Sequence, residues 1–349
     1  MVGMRDVAKK AGVSLSTVSL VVNGNGYVSD DMRERVRKAM QALNYVPNEL
    51  ARNLYHDCTN LVGVIVPTIR HPFFATFTAH LQHALAAQGL RTMLCSTADE
   101  ADGEIQYVDM LRRHMMDGIV MCAHTSHPGD YWTSIHRPIV AFDRVLGDGI
   151  SSIGSDHEQG GRLIAQMLIR NGAKHVVMIG GPRDQFFDLA ARGEVEEGPF
   201  DLGKTTFPTV RYYLTLEQEL TSAGVKYEYV EAGEVMDFAG YHRAVSNALD
   251  KVTTDGVDAV VSSDIGAALC VREAMRRHIS IPRDLQIIAY DGTYLTDLAG
   301  MKMTAVAQNF DKIAQVAVGN IVRAIAKEGD AKADTDKAPR DASRTSRTC

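Results

Sequence analysis

The sequence predicts a small all-α module followed by a larger α/β core of two parallel-sheet lobes. Three observations lead to that reading. Residues 4–43 divide into three short helical patterns with tight connections. From Leu61 onward, short apolar runs alternate with helical patterns, as in a parallel sheet covered on both faces. Seven such runs spread over about 270 residues suit two lobes better than one sheet.

The first helix holds Asp6, Val7, Ala8 and Ala11 and stops at Gly12. Gly12-Val13-Ser14 is a turn, and Ser14 is placed to cap the helix that follows. Over Leu15–Val22 that second helix puts Val18, Val21 and Val22 on one side and Ser16, Thr17 and Leu20 on the other. Asn23-Gly24-Asn25-Gly26 reads as a loop. Ser29 caps a third helix with Asp30 and Asp31 in its first turn, where the helix dipole favours acids. Met32, Val36, Met40 and Leu43 form its apolar stripe. The runs beyond are LVGVIV (61–66), TMLC (92–95), GIVMC (118–122), PIVAF (138–142), HVVMI (175–179), DAVVS (258–262) and LQIIAY (285–290). Helical patterns lie at 73–88, 102–116, 157–171, 237–250 and 265–278. Residues 331–349 are polar and aperiodic and read as a disordered tail.

Composition narrows the function classes. With 45% hydrophobic and 23% charged residues in 349, wholesale disorder and collagen-like repeats are excluded. The five cysteines, Cys58, Cys95, Cys122, Cys270 and Cys349, contain no CxxC pair, against a disulfide scaffold or a zinc ribbon. No apolar run reaches the length of a membrane span, and MVGMRDVAKKAG lacks the apolar stretch of a signal peptide. A soluble, cytoplasmic protein without a membrane partner is expected. The net charge of −6 argues against general nucleic-acid adhesion, although residues 1–60 carry eight bases against six acids. Gly180-Gly181 is not GxGxxG, and GxSxG and HExxH are absent. His124 and His127 have no neighbours that complete a metal site and read as loop residues. No enzyme activity, cofactor or metal is expected.

A helix, a Gly-containing turn and a second helix make the helix-turn-helix pattern, in which the second helix enters the DNA major groove. By pattern alone the segment is equally an ordinary helical cap. The particular residues go further. DVAKKAGVS, TVS, VVNG, YVS and NYVPNELARNL, in that order over residues 4–54, closely resemble the DNA-binding headpiece of the lactose-repressor/galactose-repressor (LacI/GalR) family. The resemblance implies that Met4 and Arg5 approach DNA ahead of the first helix. Ser14, Leu15, Ser16, Thr17, Leu20 and Asn23 would form the reading surface. Leu20 departs from the family's usual arginine. It either offers a thymine methyl an apolar contact in place of a bidentate grip on guanine, or touches no base. Asn48–Leu54 resembles the family's hinge helix, which folds when two subunits meet on the operator. Leu54 would be the minor-groove wedge, flanked by Ala51 and Arg52.

The resemblance continues more loosely to about residue 327 through HPFFATF, RPIVAFDR, SDHEQGGRLIAQMLIRNGAKHVVMIGG, VSSDIGAALCVREAMRRHISIPRDLQIIAYDGTYL and MTAVAQNF. It implies a fold like periplasmic sugar-binding proteins, with two lobes, three crossing strands and a small effector in the cleft. His71, Phe73 and Phe74 would line one wall, and Asp143, Asp264, Asp291 and Gln308 would bind effector hydroxyls. Ser263 stands where the family often has asparagine. Phe73 and Phe74 are equally readable as interlobe core, and the aspartates as caps or loop clamps. The implied domains are a helix-turn-helix unit at 1–46, a hinge and linker at 47–60, an effector and dimerisation core at 61–330 and a tail at 331–349. The implied partners are double-stranded operator DNA, a sugar or sugar phosphate, and a second copy of the chain in a homodimer or higher oligomer through helices 73–88 and 265–278.

Two regions depart from the family. Residues 181–224 are longer than expected, and the family's effector-binding arginine falls on Tyr212, with Arg211 one step away. The extra length is expected to form a loop at the cleft mouth. The tail shows no apolar final strand. A regulator of the same fold that has lost small-molecule sensing is therefore the competing reading.

Overall fold

The chain divides into two compact units, Met1–Thr59 and Asn60–Cys349. The computed structural model describes residues 2–24, 26–47, 58–97, 103–123, 127, 130–188, 205–235 and 237–337, with side chains through 329.

The first unit contains α1 (Met4–Ala11), α2 (Leu15–Asn23) and α3 (Asp30–Ala42). α1 begins where the Asp6 carboxylate accepts from the Gly3 N–H at 2.9 Å, and it ends at Gly12, whose φ of 64° is left-handed. Arg35 of α3 donates twice to the Ala11 carbonyl, at 3.1 and 2.7 Å, and once to the Gly12 carbonyl at 3.0 Å. One side chain thus satisfies carbonyls that a helix end leaves bare. A Cβ at residue 12 would lie 2.9 Å from that guanidinium, so glycine serves both the turn and the cap. Val7, Ala8, Ala11, Val18, Val36 and Ala39 make the core. Met32, expected in the apolar stripe, is exposed, and the buried face of α3 begins one turn later at Val36.

In the second unit all seven apolar runs are strands. β1 (Leu61–Val66), β2 (Arg91–Ser96), β3 (Gly118–Met121), β4 (Ile139–Phe142) and β5 (Ser151–Ile153) form one sheet in the order β2-β1-β3-β4-β5. β6 (His175–Gly180), β7 (Lys226–Glu231), β8 (Ala259–Ser263), β9 (Gln286–Asp291) and β10 (Thr304–Ala307) form the other in the order β10-β9-β8-β6-β7. Every pairing is parallel. β5, β7 and β10 had no apolar run to announce them. Each is an edge strand, and none of their residues is fully buried.

The helices are α4 (Pro72–Ala87), α5 (Gly103–Arg112), α6 (His157–Arg170), α7 (Arg211–Ser222), α8 (Phe238–Thr254), α9 (Asp264–Arg276), α10 (Leu295–Leu298) and α11 (Phe310–Lys337). Successive strand residues point to opposite faces. Val62, Val64 and Val66 therefore pack with α4 and α11, while Ile65 packs with α5. In the second lobe Val177 and Ile179 meet α8 and α9, and Val176 and Met178 meet α6 and α7. Each such side chain contributes about 1.5–3 kcal/mol of burial. α6 comes unusually close to its neighbours. A Cβ at Gly161 would lie 2.5 Å from the Tyr212 carbonyl oxygen, and one at Gly160 2.7 Å from the Tyr290 ring.

Two expectations need correction, and a third, the loop at the cleft mouth, falls largely on residues 189–204, outside the described residues. The part of the stretch at 211–222 is a core helix, α7, burying Tyr212, Tyr213, Leu214, Leu216 and Leu220. α11 runs to Lys337, so residues 331–337 are helical, not the start of a tail. Among the described residues the chain passes between the lobes twice, after β5 and after β10, because α11 packs on the first lobe and no strand follows it. The expected third crossing is not among them.

Candidate functional site

In the first unit the polar side of α2 is organised at its N-terminus. Ser14 Oγ accepts from the Thr17 N–H at 3.0 Å, and the hydroxyls of Ser16 and Thr17 lie 2.7 and 2.8 Å from it. Met4, Arg5, Ser14, Leu15, Ser16 and Leu20 are exposed, while Thr17 and Asn23 are half-buried. Val18, on the opposite side, is fully buried. Hydroxyls gathered at a helix N-terminus, beside its unpaired N–H groups, suit phosphate oxygens and base edges. Asn23 differs, since its amide donates to Ser19 Oγ at 3.1 Å. Tyr27, not singled out from the sequence, is 93% exposed in the α2–α3 turn. An aromatic residue in a polar turn, outside every apolar stripe, was the available signal. Ala51, Arg52 and Leu54 lie outside the described residues.

In the second unit a cavity of about 140 Å³ opens between the carboxyl ends of the two sheets. Such ends collect small ligands in open α/β folds. Eight of the ten expected effector residues line it: His71, Phe73, Phe74, Asp143, Tyr212, Ser263, Asp291 and Gln308. His71 caps α4, its Nδ1 accepting from the Phe73 N–H at 3.3 Å. Burial lowers its pKa to about 4. Tyr212, not Arg211, faces the cavity, with its ring stacked on Tyr290 at 3.9 Å and 5°. Asp264 is buried away from the lining. It accepts from the N–H groups of Gly292 at 3.2 Å and Thr293 at 2.6 Å, and from the Thr293 hydroxyl at 2.6 Å. It clamps the loop that follows Asp291.

Asp143 and Asp291 hold matching places in the two lobes. Each follows an apolar strand and an aromatic residue, in IVAFD and IIAYD, and each has a positive φ, 46° and 122°. Both are tied to the crossings. Asp143 Oδ1 lies 2.8 Å from His157 Nε2, and His157 Nδ1 lies 2.7 Å from the Tyr290 hydroxyl. Asp143 Oδ2 also accepts from the Thr209 hydroxyl at 3.2 Å. Gln308 donates to Asp291 Oδ1 at 2.8 Å, and its amide oxygen accepts from the Ser155 hydroxyl at 2.6 Å. Ser155 and His157 belong to the first crossing and Gln308 to the second, so a group bound at Asp291 meets both crossings through one or two hydrogen bonds, and one bound at Asp143 meets the first through His157. Burial and the nearby Asp264 push the Asp291 carboxyl well above the usual carboxylate range, against the Gln308 hydrogen bond.

Sequence reasoning missed His157, Ser155 and most of the aromatic wall, including Phe142, Phe186, Phe207, Tyr213, Tyr229, Tyr241 and Tyr290. His157 directly follows the α6 cap Asp156, and a histidine at a helix start beside two glycines was its only local signal. His127 stacks on Tyr131 at 3.9 Å and meets Glu104. Among the described residues no cluster of metal-ligating side chains exists, and no helix is long and apolar enough to cross a membrane.

Residues 3–48 match the family described as "Bacterial regulatory proteins, lacI family". Residues 59–194 match "Periplasmic binding proteins and sugar binding domain of LacI family", and residues 165–346 a periplasmic binding protein-like domain. The sucrose operon repressor of Streptococcus mutans is 31% identical over 322 residues, 92% of each chain. The chain belongs to the LacI family of bacterial regulatory proteins. The ribose operon repressor of Bacillus subtilis is 32% identical over 301 residues, 83% of this chain and 82% of that one. In structure, the lac repressor bound to ONPG superposes with a TM-score of 0.75 at 20% identity, covering 94% of each chain, which shows a common fold. Of the two residues at the place where the resemblance implies arginine, Arg211 and Tyr212, only Tyr212 lines the cavity.

Proposed function

We propose that this LacI-family protein is an operon repressor that reads a palindromic operator as a homodimer and is controlled by a small hydroxylated effector. The cavity carries that reading. It joins acids and amides to aromatic walls, as a sugar ring with hydroxyl edges requires, and its two deep acids bond to the segments that join the lobes. Occupancy would favour one lobe arrangement over another, and only such a differential can shift the DNA-binding equilibrium. Among the described residues no lysine or arginine lines the cavity, so a sugar phosphate is disfavoured and an effector without phosphate favoured. The volume is roughly ten times what one water needs, room for about a dozen heavy atoms.

On DNA, Ser14, Leu15, Ser16, Thr17 and Leu20 read the major groove, with Met4, Arg5 and Tyr27 on the flanking backbone. Ala51, Arg52 and Leu54 act at the operator centre, and α4 and α9 form the dimer face, both on family resemblance. The names of the relatives support repression and a sugar effector. The test is selection of bound duplexes from a random pool by the full-length protein, followed by titration of the selected duplex with D-fructose, sucrose and D-ribose. A recovered palindrome whose complex responds to one of these establishes the reading. A palindrome with no response to them or to a wider sugar panel favours a regulator without small-molecule sensing. Salt-sensitive binding without an enriched sequence would refute sequence-specific control.

A further inference from the structure

We propose that the effector of this cavity carries a protonated amine among its hydroxyls, with Asp291 as its counter-ion. The proposal rests on the reading of the cavity as the effector site and names the chemistry that site selects.

The charges lining the cavity are one-sided. Asp143, Asp291 and, at the exposed rim, Glu234 are acids. The one basic lining group, His71, is neutral near pH 7 because its pKa is lowered to about 4. Two guanidinium groups lie nearby without lining the cavity, and Arg144 acts on Glu234 at the rim. Arg183 holds Glu217 through two bonds of 2.5 and 2.9 Å, and Arg144 lies over the Phe207 ring at 3.6 Å while donating to the Ala123 carbonyl. The family's arginine falls on Tyr212 or on Arg211 one step away, and Arg211 does not line the cavity.

Asp291 is the telling residue. It is only 7% exposed, and Gln308 engages just one of its oxygens. Its Oδ2 has no hydrogen-bond or ion-pair partner among the described residues, although the residue lines the cavity. Asp264 and Asp143 are its charged neighbours, and both are acids. A buried carboxylate without a cation is costly, and it either takes up a proton or waits for a positive partner. A phosphate or carboxylate effector would add to the repulsion, and a neutral polyol would leave the carboxyl to be neutralised by a proton. An ammonium group supplies the missing charge and three N–H donors. Aromatic rings line the cavity around it and can add cation–π attraction that a hydroxyl does not receive. The remaining acids and amides then serve the hydroxyls.

A matched pair of probes tests this on the full-length protein. Tris and pentaerythritol share a tetrahedral carbon bearing hydroxymethyl arms, and differ by an ammonium in place of one arm. Each is titrated at neutral pH and constant ionic strength, with thermal unfolding and calorimetry as readouts, beside D-fructose and D-ribose. The expected result is a dose-dependent rise in the unfolding temperature with Tris and little with pentaerythritol. Asp291→Asn should weaken Tris binding by about tenfold, the loss of one buried charge contact. Glu234→Gln, at an exposed position, should weaken it by about two- to threefold. An equal response to both probes, or a Tris response unchanged in both variants, overturns the amine. No response to Tris with a clear response to a neutral sugar also overturns it and leaves the effector cavity standing. No response to any of the four overturns the amine and counts against the cavity reading too.

Discussion

Acidification should destabilise the first lobe through His71, and the size of the effect follows from its surroundings. The imidazole is 5% exposed, and its Nδ1 accepts the Phe73 N–H that opens α4. A protonated ring cannot accept that bond and would carry a buried charge. Burial accordingly lowers the pKa from 6.5 to about 4. The sign follows directly. Between those values the unfolded chain binds the proton and the folded chain does not. Stability is therefore full above pH 6.5 and is lost as the pH falls toward 4. Linkage puts the loss at about 2 kcal/mol by pH 5 and about 3 kcal/mol by pH 4. Urea unfolding can be followed by fluorescence of Trp132, the sole tryptophan, which is buried in the same lobe. His71→Gln cannot titrate, so the difference between wild type and variant should shrink steadily from pH 7 to pH 5. Parallel curves for the two proteins would refute the argument and mean that the ring accepts a proton without cost.

Other substitutions probe the rest. Gly161→Ala drives a Cβ to within 2.5 Å of a backbone oxygen that cannot move aside, and should cost about 1–3 kcal/mol in thermal unfolding. His157→Phe strips partners from the buried Asp143 Oδ1 and Tyr290 hydroxyl, and should cost about 2–5 kcal/mol; a loss below 1 kcal/mol would mean the bridge between the lobes is unimportant. Leu20→Arg should shift the selected operator toward G·C at one position in each half-site, by about 1–3 kcal/mol of discrimination. An identical selected sequence would show that residue 20 reads no base.

The interior of the fold was legible because buried parallel strands are apolar on both faces. HVVMI and LQIIAY could hardly be anything else. β7, KYEYVE, was illegible for the complementary reason: at a sheet edge its charged residues remain in water. α7 was hard to read because it buries Thr215 and Glu217 along with Leu214, Leu216 and Leu220, which blurs the apolar stripe a helix normally shows. At the cavity, motif position located the acids but not their work. Asp264 and Asp291 look equivalent in sequence, yet the first sits in the opening turn of α9 facing backbone N–H groups and the second at the tip of β9 facing open space. That difference is set by tertiary packing, which brings the Gly292 and Thr293 N–H groups to Asp264. His157 could not be assigned a role at all, because both its partners are distant in sequence.

The left-handed backbone at Asp143 and Asp291 has a consequence for how this protein can change. Positive φ at a residue with a side chain costs about 1–3 kcal/mol, and glycine would escape that cost. At Asp291, where φ is 122°, the relief should be near its largest, and the carboxylate lost is itself a buried acid among acids. If Asp291 has the proposed role, random mutagenesis scored only for heat resistance should therefore drift toward Asp291→Gly, yielding a sturdier molecule that no longer recognises its effector. Resistance to heat and responsiveness oppose each other at a single codon, and a repressor improved for one should be checked for the other.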